Sequence, residues 1–83
     1  MDKDKLKKIN GKRTVTKNGY DVRNLTYPYD WGIWGKEWIK GALSSALFTY
    51  AVWDLSGKTC YVHNHGKSNY LYEFDIDLDK ILD

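Results

Sequence analysis

Between Leu47 and His63 two β-prone runs flank one turn signal, and no other feature of the chain narrows its fold as far. Leu47-Phe-Thr-Tyr-Ala-Val-Trp53 is rich in aromatic and β-branched residues. Asp54-Leu-Ser-Gly57 then places glycine where a left-handed backbone is needed, and Lys58-Thr-Cys-Tyr-Val-His63 reads as the returning strand. A second signal lies earlier, where Asn18-Gly19 separates Arg13-Thr-Val-Thr-Lys17 from Tyr20-Asp-Val-Arg-Asn-Leu25. Asn-Gly in that setting predicts a two-residue type I′ turn, because both of its central residues need positive φ. Such a turn sets Val15 opposite Val22 and Lys17 opposite Tyr20.

The rest of the chain is read around these hairpins. Residues 1–8 are charge-dense and are expected to form a flexible N-terminal arm or one loose helical turn. Residues 36–46 are ambiguous: Trp34, Trp38, Ala42 and Ala46 recur at helical spacing into and through them, whereas Ile39, Gly41 and Leu43 recur at strand spacing. A strand is the preferred reading, with one helix at 36–46, and so an α+β fold, as the alternative. Tyr70-Leu-Tyr-Glu-Phe-Asp-Ile76 reads as a last strand, and Asp77 is placed to cap a final turn through Leu82. Residues 9–83 are thus expected to form a single small, mainly β domain, an antiparallel sheet or barrel of about five strands.

With 83 residues there is no room for a second domain, and the single cysteine, Cys60, has no internal partner. Large rings are what remains to gain burial: four Trp, seven Tyr and two Phe. By position Trp38, Phe48, Tyr50, Trp53 and Phe74 belong to β elements and are expected in the core. The balance of 13 basic against 11 acidic residues falls short of the basic stripe of a duplex-DNA binder. The polar start, Met-Asp-Lys-Asp-Lys, and the lack of any apolar run near the roughly 18 residues that span a bilayer point to a cytoplasmic chain with no membrane partner.

Candidate chemistry is sparse. His63 and His65 share a strand face, but Cys60 has the opposite parity and a structural zinc takes four ligands, so no metal is expected. Asp75, Asp77 and Asp79 alternate, yet Lys80 stands where a calcium loop needs glycine; they read as a solvated face and a helix cap. There is no nucleophile elbow, phosphate-cradling loop or metalloprotease motif, and neither catalysis nor a cofactor is expected.

What remains is rings beside cations. Tyr27, Tyr29, Trp31 and Trp34 crowd residues 26–35, read as a loop because Pro28, Gly32 and Gly35 break it. Rings stack on bases, while Lys36, Arg13, Arg23, His63 and Lys67 would donate to phosphate or ribose, so the set suits a nucleotide-like ligand or single-stranded nucleic acid. It suits a protein interface equally. A homo-oligomer is expected, since so short a chain encloses a pocket more readily with a second copy.

Val15-Thr-Lys-Asn-Gly-Tyr-Asp-Val-Arg-Asn-Leu25, Tyr50-Ala-Val-Trp-Asp-Leu-Ser-Gly57-Lys and Asp75-Ile-Asp-Leu-Asp79 together resemble a pattern of small accessory proteins of tailed phages and prophages. The resemblance spans about two-thirds of the chain, in motifs made mostly of turn chemistry. It implies a non-catalytic phage protein made in the host cytoplasm that counters host defence. Two modes follow: sequestering a nucleotide-like signalling molecule, or occluding a host protein.

Overall fold

Two turns of the same construction set the register of the sheet. In the computed structural model, which describes residues 2–30, 35–44, 49–63 and 70–83, each hairpin turns through three residues and ends on a left-handed glycine. In the first, Thr16 N–H donates to the Tyr20 carbonyl and Gly19 N–H to the Thr16 carbonyl; in the second, Asp54 and Lys58 pair likewise and Gly57 N–H donates to Asp54. A side-chain oxygen closes each loop. The Thr16 hydroxyl oxygen accepts from Tyr20 N–H at 3.0 Å, and Asp54 Oδ1 accepts from Lys58 N–H at 3.0 Å and from Ser56.

These turns join β1 (Thr14–Val15) to β2 (Asp21–Asp30) and β4 (Tyr50–Trp53) to β5 (Thr59–Val62), while β3 (Glu37–Leu43) pairs with β2 and β4. The sheet is a curled antiparallel meander in the order β1-β2-β3-β4-β5. The mainly β expectation and the second hairpin hold, and the helical alternative at 36–46 does not form. In β3, Ile39, Gly41 and Leu43 are buried between half-buried neighbours. Gly41 is needed there, because a β-carbon would stand 2.5 Å from Val22 Cγ1 and 3.0 Å from Trp53 Cζ3.

The first hairpin corrects the sequence reading by one residue. Thr14 faces Val22 and Val15 faces Asp21, because Gly19 alone takes positive φ and the Thr16 side chain closes a wider loop than type I′. A one-residue slip exchanges the faces of a strand. Thr16 therefore points inward at 4% exposure and Val15 outward at 51%.

β2 corrects the reading of residues 26–35 as a loop: the strand runs on to Asp30 through two bulges. Asn24 has φ of 57° at the first, and the cis Tyr27–Pro28 peptide lies in the second. The extra residues re-aim the chain so that Val22, Leu25 and Tyr27 all face the core.

The ends of the chain close the fold. Of the two forms expected for the N-terminal segment, a flexible arm or one loose helical turn, the described residues take the helical one: α1 (Lys3–Leu6) runs into a 3-10 turn, Lys7–Ile9, and Leu6 and Ile9 are completely buried. Asn10 then clamps the bulged strand, accepting from Tyr27 N–H at 2.9 Å and donating to the Tyr27 carbonyl at 2.8 Å.

Residues 70–76, expected as a strand, instead form a 3-10 turn at Leu71–Phe74 and then an extended strap. The strap's polar groups go to both hairpin turns, not to a ladder. Lys17 N–H donates to Asp75, Asn18 N–H to Glu73, Ile76 N–H to Gly57, and the Trp53 indole N–H to Phe74 at 2.9 Å. Residues 73–76 thus tie the β1–β2 turn to the β4–β5 turn across the gap of the curled sheet. Helix α2 (Leu78–Leu82) follows, capped as expected by Asp77, whose carboxylate accepts from Lys80 N–H.

Candidate functional site

The strands bury one face against Leu6, Ile9, Phe74, Ile76 and Leu78, and the pairing fixes what the other face carries. Arg23 on β2 stands opposite Ala42 on β3, Ala42 opposite Tyr50 on β4, and His63, just past β5, donates its N–H to the Tyr50 carbonyl. One row down come Thr26, Lys40, Val52 and Tyr61, and below them Tyr29 beside Trp38. Directly opposed residues in an antiparallel pair share a face. The outer face therefore gathers Arg23, Lys40 and His63 with Tyr29, Tyr50 and Tyr61. Extending the β1–β2 register by one residue brings Arg13 beside Arg23.

These side chains interlock. Lys40 Nζ lies 5.0 Å from the Tyr29 ring centre and 4.6 Å from that of Tyr50, bracketed by two π-faces. Tyr50 stacks on His63 at 5.1 Å between ring centres and 10° between planes, and the Tyr61 hydroxyl is 3.0 Å from His63 Nδ1. Burial, then the neighbouring Tyr61 and Tyr29, push the Tyr50 hydroxyl pKa upward, so it stays a neutral donor. Val52, flanked by Lys40 and Tyr61, is fully buried although it lies outside the core cluster. The outer face is thus a packed, ring-and-cation surface.

The other residues proposed from sequence lie elsewhere. Tyr27 is a core residue at 3% exposure, brought inward by the bulges, and its hydroxyl donates to Glu37. Burial first, and Glu37 second, push its pKa up to about 12. The same hydrogen bond holds the Glu37 carboxyl below its usual range, with Lys3, 3.7 Å away, acting in the same direction. Tyr27 therefore cannot stack on a ligand.

Lys36 is exposed and lines a cleft of about 530 Å³ with Lys3, Trp38, Asp54 and Cys60. That cleft is remote from the Arg23–His63 row, since six residues of strand separate Lys36 from Ala42, roughly 20 Å at the usual rise. Burial, followed by the Asp54 charge, pushes the Cys60 thiol up, which works against a thiolate nucleophile. Trp31, Trp34, Phe48, His65 and Lys67 lie outside the described residues.

Three members of the face did not enter the sequence-derived set. Tyr50 was expected in the core, and neither Tyr61 nor Lys40 was singled out. The signal for them was parity: Ala51, Trp53 and Val62 alternate with Tyr50, Val52, Tyr61 and His63, and the firm β4–β5 hairpin puts the latter group on one side.

Among the described residues no cluster of three or more His, Cys, Asp or Glu is arranged to hold a metal. None of their helices is long and apolar enough to cross a membrane. No family model, curated protein or solved structure matches the chain.

Proposed function

We propose that this chain is a non-catalytic binding protein whose outer sheet face takes a phosphorylated, base-bearing small ligand. The observation that carries the reading is the convergence of Arg23, Lys40 and His63 with Tyr29, Tyr50 and Tyr61 on one face. Arg23 is exposed, and guanidinium pairs with phosphate oxygens in a bidentate fork. Stacking of a base on a ring contributes about 1–3 kcal/mol and tolerates any base. Taken with the resemblance to accessory proteins of tailed phages, the reading is a protein that sequesters a nucleotide-like signal by mass action. A second copy facing the first would enclose the ligand.

Calorimetry of the full chain against a panel of cyclic and ADP-ribose-type nucleotides tests this. The expected result is saturable heat with at least one nucleotide, weakened about tenfold in Arg23→Ala. Heat from none of them would overturn it. So would binding confined to single-stranded oligonucleotides with the steep salt dependence of released counterions.

A further inference from the structure

Arg23 and Lys40 can only donate hydrogen bonds, but a neutral His63 carries its ring proton on one nitrogen and meets a ligand as donor or as acceptor according to its tautomer. Phosphate oxygens accept. An imidazole that turns its bare nitrogen to them opposes the contact, and one that turns its N–H to them adds a hydrogen bond. Whatever sets the tautomer of His63 therefore decides whether this end of the face favours phosphate.

Three contacts fix the residue. The His63 backbone N–H bonds the Tyr50 carbonyl at 2.9 Å, which holds the chain just past β5 against β4. The Tyr50 ring lies against the imidazole, with centres 5.1 Å apart and planes 10° from parallel, and sets its tilt. Tyr61, two residues earlier and on the same side of the strand, brings its hydroxyl to 3.0 Å from Nδ1. That contact engages one edge of the ring. No other hydrogen bond reaches the imidazole from the described residues, and Nε2 lies on the opposite edge.

Tyr61 is also tied to Tyr50, and that tie gives the direction. Burial first, then the neighbouring Tyr61 and Tyr29, push the Tyr50 hydroxyl pKa upward, and a hydrogen bond to Tyr61 adds to the shift. A hydrogen bond raises the pKa of a phenol when the phenol donates it. The protons thus run one way: Tyr50 gives to Tyr61, Tyr61 gives to Nδ1, and the imidazole keeps its own proton on Nε2. Lys40, 4.6 Å from the Tyr50 ring centre, and Arg23, at the far end of the row, are the cations that share the face with it.

We infer that Tyr61 is a positioning residue of the ligand face: its hydroxyl donates to Nδ1 and holds neutral His63 as the Nε2–H tautomer, which donates to a phosphate oxygen of the ligand. The inference rests on the outer face being the site of a phosphorylated ligand, while the tautomer it assigns belongs to the ligand-free chain and is measured there.

The test has two arms on the full chain. In the first, nitrogen-15 NMR of the ligand-free chain, with the ring neutral, is expected to find the His63 proton on Nε2, and Tyr61→Phe is expected to let the Nδ1–H form appear. In the second, calorimetry with the tightest-binding nucleotide of the cyclic and ADP-ribose-type panel follows Tyr61→Phe, His63→Ala and the pair together. Tyr61→Phe should weaken binding about fivefold, the scale of one neutral hydrogen bond, and should weaken it no further once His63 is alanine. A ring protonated on Nδ1 in the parent chain overturns the inference even where a nucleotide binds. So does a Tyr61→Phe loss that adds in full to that of His63→Ala, which is what a merely structural tyrosine gives, or no loss at all. Heat from no nucleotide, with the Nε2–H form in place, overturns the ligand reading and the donor role with it. If Tyr61→Phe fails to fold, the parent spectrum decides: the Nε2–H signal should shift when the nucleotide binds, and a signal that stays in place overturns the inference.

Discussion

Gly57 and Ile76 approach so closely that a β-carbon on Gly57 would stand 2.3 Å from the Ile76 carbonyl oxygen. That contact joins the β4–β5 turn to the strap, whose Ile76 N–H donates back to the Gly57 carbonyl at 3.1 Å. Gly19 is its counterpart in the other hairpin, with φ of 93° against 90°, but nothing lies within 4 Å of its missing β-carbon. Gly19→Ala is expected to cost only the left-handed backbone, about 1–2 kcal/mol. Gly57→Ala adds a clash with main chain that cannot rotate away, for a total of about 3 kcal/mol or more. Urea unfolding of both variants measures the difference, and equal costs would mean that the strap yields freely.

Gly41 faces side chains instead of backbone. Its β-carbon would press on Val22 Cγ1 at 2.5 Å, on Trp53 Cζ3 at 3.0 Å and on Leu25 Cδ2 at 3.1 Å. Gly41→Ala should therefore destabilise by about 1–3 kcal/mol through overpacking. Because the tightest contact is one methyl, Val22→Ala in the same chain should recover part of the loss. A double-mutant cycle reads this as a favourable coupling, and simple additivity would place the strain elsewhere.

What the sequence showed and what it hid divide along range of interaction. The Asp54-to-Gly57 turn and the alternation of Ile39, Gly41 and Leu43 are local, and both were legible. The first turn was misplaced by one residue because the Thr16 side chain competes with Asn-Gly geometry and closes a longer loop. Tyr27 was assigned to the ligand because Pro28, Gly32 and Gly35 mark residues 26–35 as a loop, and no local signal shows that β2 runs on through two bulges, which bring Leu25 and Tyr27 inside in turn. Residues 70–76 were read as a strand since Tyr70, Tyr72, Phe74 and Ile76 alternate, and of these Phe74 and Ile76 do face the core. The strap's hydrogen-bond partners, Lys17, Asn18 and Gly57, lie far away in the chain, where no window of sequence can find them.

The Tyr27–Glu37 hydrogen bond gives stability a specific dependence on alkaline pH. The Tyr27 hydroxyl moves from its ordinary 10.0 to about 12 on folding, so it holds its proton in the folded chain at pH values where the unfolded chain has lost it. Its contribution is complete below pH 10 and disappears as pH rises from 10 towards 12. Tyr27→Phe should lower stability near neutral pH by about 1 kcal/mol while flattening this alkaline loss. Denaturation midpoints followed across that range test it. Parallel loss in both proteins would show that the hydroxyl titrates normally.

Acid acts on the other partner of that hydrogen bond. Glu37 is held below its usual range by Tyr27 first and by Lys3 after it, so the stabilisation is present above the unfolded carboxyl pKa and is lost as pH falls through the folded one. Glu37→Gln removes the titration while keeping a side-chain oxygen that accepts from Tyr27. Its stability should fall less than that of the parent between neutral and acidic pH. An unchanged acid profile would assign the loss to other carboxylates.

The outer face and the Lys36 cleft make opposite demands on the ligand. Arg23 and His63 bound a row four strands wide, about 14 Å at the usual strand spacing, whereas Lys36 lies roughly 20 Å away along β3. A nucleotide-sized molecule reaches one set or the other. If the outer face holds the ligand, Arg23→Ala and His63→Ala should each weaken binding about tenfold, and Lys36→Ala should leave it within about twofold. Lys40→Met should weaken it as well while lowering stability slightly, since the ammonium between Tyr29 and Tyr50 contributes about 0.5–1 kcal/mol at each ring. Titration of the four variants with the same nucleotide separates the two places. Loss confined to Lys36→Ala would move the site to the cleft lined by Trp38 and Cys60.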